Sequence, residues 1–363
     1  MFGNLKKIKI SKYFLLFILY TVVLFVSPFL EQISKYNSVV VVLFAIMSIS
    51  LLWDKNIMNI AIFIFFLLFP VLLFKPSSFL YFIYDYLNVL IVVLILDITA
   101  RKAYLKRYEY KLVTYFYLAY IVAFLILLGN STFYSETNRY LGLMKGSNLS
   151  SIVIISILVY IVEYYKNKKT ILGLLCFSYF IFFICSYFCK TRSIFFFLPY
   201  LFLLTKEYSK SLCLFTVLII TFIASVYWQE LINIFRFQED ASFLTRLEIY
   251  TFIFDQIKQG YFLLPNGFNA CNEVSMKYVG EAGFTPHNDF LRYYYDWGVI
   301  WIIFLGYIVG KCYIIYQSSS FKKELITIFI FLLSNALHNT LFIPYVWLPI
   351  FFVLILLKQK QEN

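Results

Sequence analysis

Uninterrupted apolar runs, separated by short polar punctuation, recur along almost the whole chain. The strands of an outer-membrane barrel would alternate with a period of two, whereas Ile152 to Tyr160 and similar runs are apolar at nearly every position. A helix needs roughly 20 apolar residues to cross a bilayer. Twelve spans are predicted on this basis, at 13–30, 38–53, 57–74, 79–97, 111–129, 149–165, 170–187, 194–205, 211–228, 293–312, 324–337 and 343–357. The eighth and the last two are short. Residues 324–357 also read as one long kinked helix, because Pro344 and the polar Asn335, His338 and Asn339 interrupt them. The expected fold class is an all-α integral membrane protein with about 12 transmembrane helices, forming a single polytopic domain over residues 1–363.

Composition excludes the main alternative. With 62% hydrophobic and 14% charged residues, a soluble domain of this length could not hide its apolar surface. The 43 Phe and 32 Tyr suit lipid contact and interfacial belts. Lys6, Lys7, Lys9 and Lys12 precede an apolar stretch too long for a signal core and without a small-residue cleavage site, so a retained first helix is expected. A net charge of +12 would suggest nucleic acid in a soluble protein, but here most basic residues fall in loops and act as topology signals. With the N-terminus inside, 20 of the 31 Lys and Arg fall on the inner side and 11 on the outer. Both termini are therefore expected in the cytoplasm. The outer segments then include residues 229–292, a long periplasmic loop between spans nine and ten. Leu244, Leu247, Ile249, Tyr250, Ile253, Phe254 and Ile257 recur there at helical spacing and predict short helices inside the loop.

Candidate chemistry concentrates on the outer side. Lys190 and Arg192 flank Thr191 in a very short turn at the mouth of the eighth span. Two readings stand: interfacial side chains touching lipid headgroups, or a cationic seat for a phosphate-bearing ligand, for which guanidinium offers two parallel hydrogen bonds and a permanent charge. Thr245-Arg246-Leu247-Glu248 has capping-box form, predicting a helix from Arg246 to about Gln259 that stops at Gly260. A cation in a first helical turn opposes the dipole, which suggests an anionic ligand shared with the free N–H groups; a plain Arg246–Glu248 pair is the alternative. Pro265-Asn266-Gly267-Phe268 reads as a turn. The two histidines, His287 and His338, both fall on the outer side, each followed by Asn. An imidazole near neutrality suits proton transfer from a sugar hydroxyl or alignment of that hydroxyl, and an interfacial hydrogen bond is the plainer reading. Asp289 and Asp296 stand at helical spacing from Arg292, as a structural ion pair would. In the fourth span, Asp85 and Asn88 predict a face turned toward other helices; a transporter would use such a carboxylate. Cys189 and Cys271 fall on the outer side, where one disulfide or two buried thiols would fit.

These residues resemble the O-antigen ligase/polymerase superfamily of multispanning glycosyltransferases. Thr191-Arg192-Ser193 opening an apolar helix is similar to the family's "SR" helix start. Thr245-Arg246-Leu247-Glu248-Ile249-Tyr250, followed by Pro265 and Gly267, resembles its "R-x-x-x-W … P-x-x-G-x-G" stretch. Pro286-His287-Asn288 with Leu291 and then Gly298 resembles its "H-N-x-x-L … G-x-x-G" signature. The likeness covers roughly residues 188–310; Tyr250 replaces the usual Trp, Asn269 stands where a second Gly is frequent, and Ile300-Trp301 replace the glycine after Gly298. The resemblance implies metal-independent glycan transfer from an undecaprenyl-diphosphate donor, without a cofactor, at the outer face of the bacterial inner (cytoplasmic) membrane. In that scheme Arg192 and Arg246 hold the diphosphate and His287 positions or deprotonates the acceptor hydroxyl. Lys190, Glu248, Tyr250, Gly267, Asn288, Arg292 and His338 become candidate substrate-binding positions. No Asp-x-Asp motif lies in the outer loops.

The short, Phe- and Tyr-rich chain looks more like the polymerases of O-antigen or capsule repeat units than like the ligases that hand glycan to lipid A–core. Lipid-linked donor and acceptor, the bilayer, a chain-length regulator and a flippase are the partners this implies; nucleic acid is not among them. A lipid-linked oligosaccharide flippase is the rival from another class, though flippases tend to have two similar halves and short loops.

Overall fold

The computed structural model describes residues 11–30, 46–51, 55–100, 105–135, 140–142, 147–166, 169–189, 191, 197–210, 241–259, 263–279, 288–334, 342 and 344–362. Among these residues the chain is helical and forms no strand, only an isolated bridge between Tyr134 and Tyr140. The helices are α1 (Lys12–Leu30), α2 (Lys55–Phe74), α3 (Phe79–Ala100), α4 (Arg107–Ile126), α5 (Ser147–Tyr165), α6 (Ile171–Tyr187) and α7 (Leu198–Tyr208). They continue as α8 (Ala241–Gln259), α9 (Ala270–Val279), α10 (Asp289–Trp297), α11 (Val299–Gln317), α12 (Lys322–Ser334) and α13 (Pro344–Glu362).

Among the described residues, five helical segments are long and apolar enough to cross a membrane: 56–74, 76–99, 107–129, 148–165 and 299–317. Four of these match expected spans, at 57–74, 79–97, 111–129 and 149–165, and the fifth overlaps the one expected at 293–312. The stretch 12–22 and helix α6 are apolar but shorter. Spans 38–53 and 211–228 lie wholly or mostly outside the described residues. Helices α12 and α13 are separate elements, so the described parts of 324–357 are two helices.

Apolarity on all sides of a helix means either deep burial or lipid contact, and both occur. Helix α5 from Ser150 to Glu163 and helix α13 from Val346 to Leu357 are buried along almost their whole length and pack on one another. Helix α3 lies against α13, α2 and α11. By contrast, Leu80 is 79% exposed and Ile126 71%, and Phe66, Leu73, Tyr313 and Ile314 also face outward. Such a surface fits lipid and not water.

One end of the bundle is closed by charge. Ser11 donates to Glu109 through N–H and hydroxyl, at 2.8 and 2.9 Å. The Tyr110 hydroxyl bonds Gln359, Lys358 donates to the Thr99 carbonyl, and Lys360 donates to the Glu163 carbonyl at 2.6 Å. Lys166 pairs with Glu324 at 2.6 Å and Lys311 with Asp97 at 2.8 Å. These contacts gather the starts of α1, α4 and α12 with the ends of α3, α5, α11 and α13. They are the ends that the basic-residue bias assigns to the cytoplasm.

Two expectations are corrected, and the open alternative for the cysteines is decided in favour of buried thiols. The span expected at 293–312 breaks at Gly298, which has φ 58° and ends α10 before α11 begins. The Thr245 capping box does not open a helix, because α8 already starts at Ala241. Cys189 and Cys271 are free thiols, buried in different clusters.

Candidate functional site

Opposite the charged end, α8, α9 and α10 build a small unit with its own core. Ile249 and Ile253 of α8, Ala270 and Cys271 of α9, and Leu291 and Tyr295 of α10 are buried together, with Tyr250, Ile257 and Val274 packed against them. The segment carrying Arg246 and the segment following His287 thus share one hydrophobic cluster. Helical spacing in α8 makes this work: Ile249 and Ile253 are one turn apart on the same face.

The Asn288 side chain explains part of the "H-N-x-x-L" pattern. It is the N-cap of α10 and accepts the Leu291 N–H at 3.2 Å, satisfying one of the helix's free donors. Leu291 then anchors the first turn in the cluster. The Asn288 Oδ1 is thus engaged by the backbone.

The turn 263–269 is clamped to the end of α10. The Gly267 N–H donates to the Asp296 carbonyl at 3.1 Å, Asn266 Nδ2 to the Tyr295 carbonyl at 2.9 Å, and the Cys271 N–H to Asp296 Oδ1 at 2.7 Å. Gly267 has φ 97° and passes directly over the Lys75 side chain, where a Cβ would collide. It is a close-approach glycine, and Lys75 itself pairs with Glu273. Asn269 has φ 63°, so the position calls for left-handed backbone, which Asn tolerates better than other residues with a Cβ. Phe268 plugs the turn into the bundle between Phe82 and Trp297. Trp297, fully buried, also contacts Tyr293, Trp301, Phe304 and Phe342.

Arg292 is the guanidinium at the centre of this region. Its side chain is 14% exposed and lies 3.7 Å from Asp85 on α3, 3.9 Å from Asp289 and 3.9 Å from Asp296. It also stands over the Tyr293 ring at 5.0 Å. Three carboxylates around one guanidinium already exceed its charge, so Arg292 is an internal counter-ion and not a free phosphate receptor. Asp296 lies before α11, a helix long and apolar enough to cross a membrane, and burial pushes its carboxyl up to about 7, against the pull of Arg292 and of the Cys271 N–H. Burial, and then the neighbouring Asp296, push the Cys271 thiol up as well.

The remaining candidates divide clearly. Arg246 lies in the second turn of α8, beyond the free N–H groups of its first turn, so the shared helix-terminus anion seat has no geometric basis. Glu248 is exposed and Tyr250 half-buried beside the small core. Lys190, Arg192, His287 and His338 lie outside the described residues. Thr191, between Lys190 and Arg192, is buried and donates to Ser151 Oγ at 3.0 Å, tying that turn to the start of α5. The contacts that sequence reasoning missed are Asp85 with Arg292 and Lys75 beneath Gly267. A carboxylate inside an apolar run announces that a partner exists but does not name it.

No family model matches the chain, and no match was found among curated proteins or solved structures. The functional reading accordingly rests on the residues themselves.

Proposed function

We propose that the chain is a membrane glycosyltransferase that joins undecaprenyl-diphosphate-linked oligosaccharide repeat units into a polysaccharide at the outer face of a bacterial inner membrane. The acceptor hydroxyl attacks the anomeric carbon of the donor, and the bond to the lipid diphosphate breaks. Arg192 and Arg246 stabilise the charge that develops on this leaving group, and His287 takes or orients the hydroxyl proton. Arg292 is not assigned to the diphosphate, because carboxylates surround it.

The observation that carries this reading is the shared cluster of α8 and α10. Arg246 stands three residues before Ile249 and His287 four residues before Leu291, and Ile249 and Leu291 belong to the same small core. The helices next to Arg246 and His287 in the chain therefore share a core, which supports reading the two residues as partners in a two-substrate transfer. The unit sits at the end of the bundle away from the charged closure, the end that the basic-residue bias assigns to the outside.

The test is reconstitution in nanodiscs with a defined lipid-diphosphate repeat unit, reading product length on a gel. The wild type should yield a ladder. Arg192→Ala and Arg246→Ala should each lower the rate by roughly 10²–10³, the usual effect of losing a group that stabilises leaving-group charge, with membrane insertion intact. His287→Ala should also slow turnover. A wild-type ladder from both arginine variants defeats the proposal.

A further inference from the structure

The turn 263–269 touches the ends of three helices at once. Lys75, directly after α2, runs beneath Gly267. Phe268 meets Phe82, one turn inside α3, with ring centres 5.4 Å apart. The first amide of α11, on Val299, donates to the Leu263 carbonyl at 2.9 Å. All three helices are long and apolar enough to cross a membrane, and these are the ends that lie away from the charged closure. The turn therefore stands level with the rim of the apolar bundle and not above it.

At that rim its side chains divide. Phe268 is buried in the bundle, whereas Leu263 is 47% exposed and Leu264 45%. Across α8, α9, α10 and their connections, Phe254 is the one other exposed large apolar side chain among the residues whose burial is described. Around the turn, the helix ends expose Leu73 and Phe74 on α2, Leu80 on α3 and Val299 on α11. These belong to the outward apolar surface that fits lipid, and Leu263 and Leu264 extend it past the start of α11. Glu248 and the surface pair of Asp255 with Lys258 mark a face of α8 that suits water. Between the two environments, Lys75 keeps its stem under Gly267 and its charge on Glu273, as a side chain at a headgroup boundary does. Irregular backbone enters hydrocarbon only where its polar groups are satisfied by protein, and the Leu263 carbonyl is satisfied by Val299. The turn can thus offer two side chains to acyl chains while its backbone stays at the interface.

We infer that this turn is a membrane-docking lip. The Leu263 and Leu264 side chains lie among the upper acyl chains of the leaflet at this end of the bundle, and the Lys75–Glu273 pair lies level with the lipid headgroups. The unit of α8, α9 and α10 is then seated on the bilayer by its turn instead of standing free in the aqueous phase, as the long loop of the sequence reading would. The inference is independent of the glycosyl-transfer reading.

The test uses the full chain in phospholipid vesicles, with the photo-crosslinking residue p-benzoylphenylalanine placed singly at Leu263, Leu264, Phe66 or Glu248. All four side chains are exposed, so the replacement displaces no core. Phe66, 68% exposed on α2, is the lipid-facing control, and Glu248 on α8 the water-facing one. After irradiation, mass spectrometry should find phospholipid adducts at Leu263 and Leu264 as abundant as at Phe66, and almost none at Glu248. Three results overturn the inference. Adducts at Phe66 without adducts at either leucine would place the turn in water. Crosslinks from the leucines to another segment of this chain would show that protein covers them. Adducts at Glu248 as abundant as at the leucines would show contact with lipid that the turn does not direct. Absence of lipid adducts at all four positions, Phe66 included, also overturns it, by removing the lipid-facing rim on which the lip depends.

Discussion

Replacing Gly298 by Ala should loosen the junction between α10 and the turn it clamps. Gly298 has φ 58° and ψ −135°, a region that residues with a Cβ enter at about 1–3 kcal/mol. A Cβ at this position would lie 2.5 Å from the Leu263 carbonyl oxygen, 2.7 Å from the Leu264 carbonyl carbon and 2.8 Å from its oxygen. All three are backbone atoms, so no side chain can swing aside. The 263–264 segment must retreat, and the Val299 N–H to Leu263 hydrogen bond of 2.9 Å goes with it, at about 1 kcal/mol. Strain, displacement and the lost bond together come to about 3–5 kcal/mol, or roughly two to three and a half powers of ten in the local opening constant. Hydrogen-exchange mass spectrometry on peptides covering 263–269 should report that acceleration, with α5 as an internal reference. Exchange as slow as in the wild type would refute the claim that Gly298 is required by contact and conformation.

Three further outcomes are expected. Asn269→Gly should cost only about 1 kcal/mol, since glycine adopts φ 63° freely and loses just the 2.7 Å bond that Asn269 Oδ1 accepts from Asn272 Nδ2, whereas Asn269→Val should cost about 1–2 kcal/mol more. Tyr200→Phe should lower the unfolding midpoint, because it strips the 2.6 Å hydroxyl bond from the buried Glu163 carboxylate, a loss of about 1.5–3 kcal/mol. The Asp296 carboxyl titrates near 3.8 when free and about 7 when folded, so the folded state binds this proton more tightly than the unfolded chain. Its contribution should therefore decline as pH rises between about 4 and about 7 and stay level above that, and Asp296→Asn should flatten this slope in thermal melts taken across the range.

How much of this could be read from the sequence depended on the range of the interaction. Helices α2, α3 and α5 were visible because lipid and core both demand unbroken apolar runs. The break at Gly298 was hidden, since Tyr293 to Cys312 is apolar enough to pass as one span; the signal was a glycine directly after Asp296 and Trp297. Thr245 and Glu248 imitate a capping box inside α8, where their spacing is simply one helical turn. Asn288 preceding Asp289, Phe290 and Leu291 carries an N-cap signature, and the structure uses it that way. The Asp85–Arg292 pair was out of reach, because residue type announces a need for compensation while only packing chooses the partner.

The central place of α13 bears on how the protein is made. Residues Val346 to Leu357 fill the middle of the bundle, against α5, α3 and α1, yet ribosomes deliver them after all twelve of the other helices named above. During translation the earlier helices that are long and apolar enough to cross a membrane must wait around an unfilled axis, in an assembly looser than the finished one. The arrival of this segment would convert that assembly to a close-packed form. Mutations that delay its insertion should therefore act on biogenesis and quality control before they touch the candidate site.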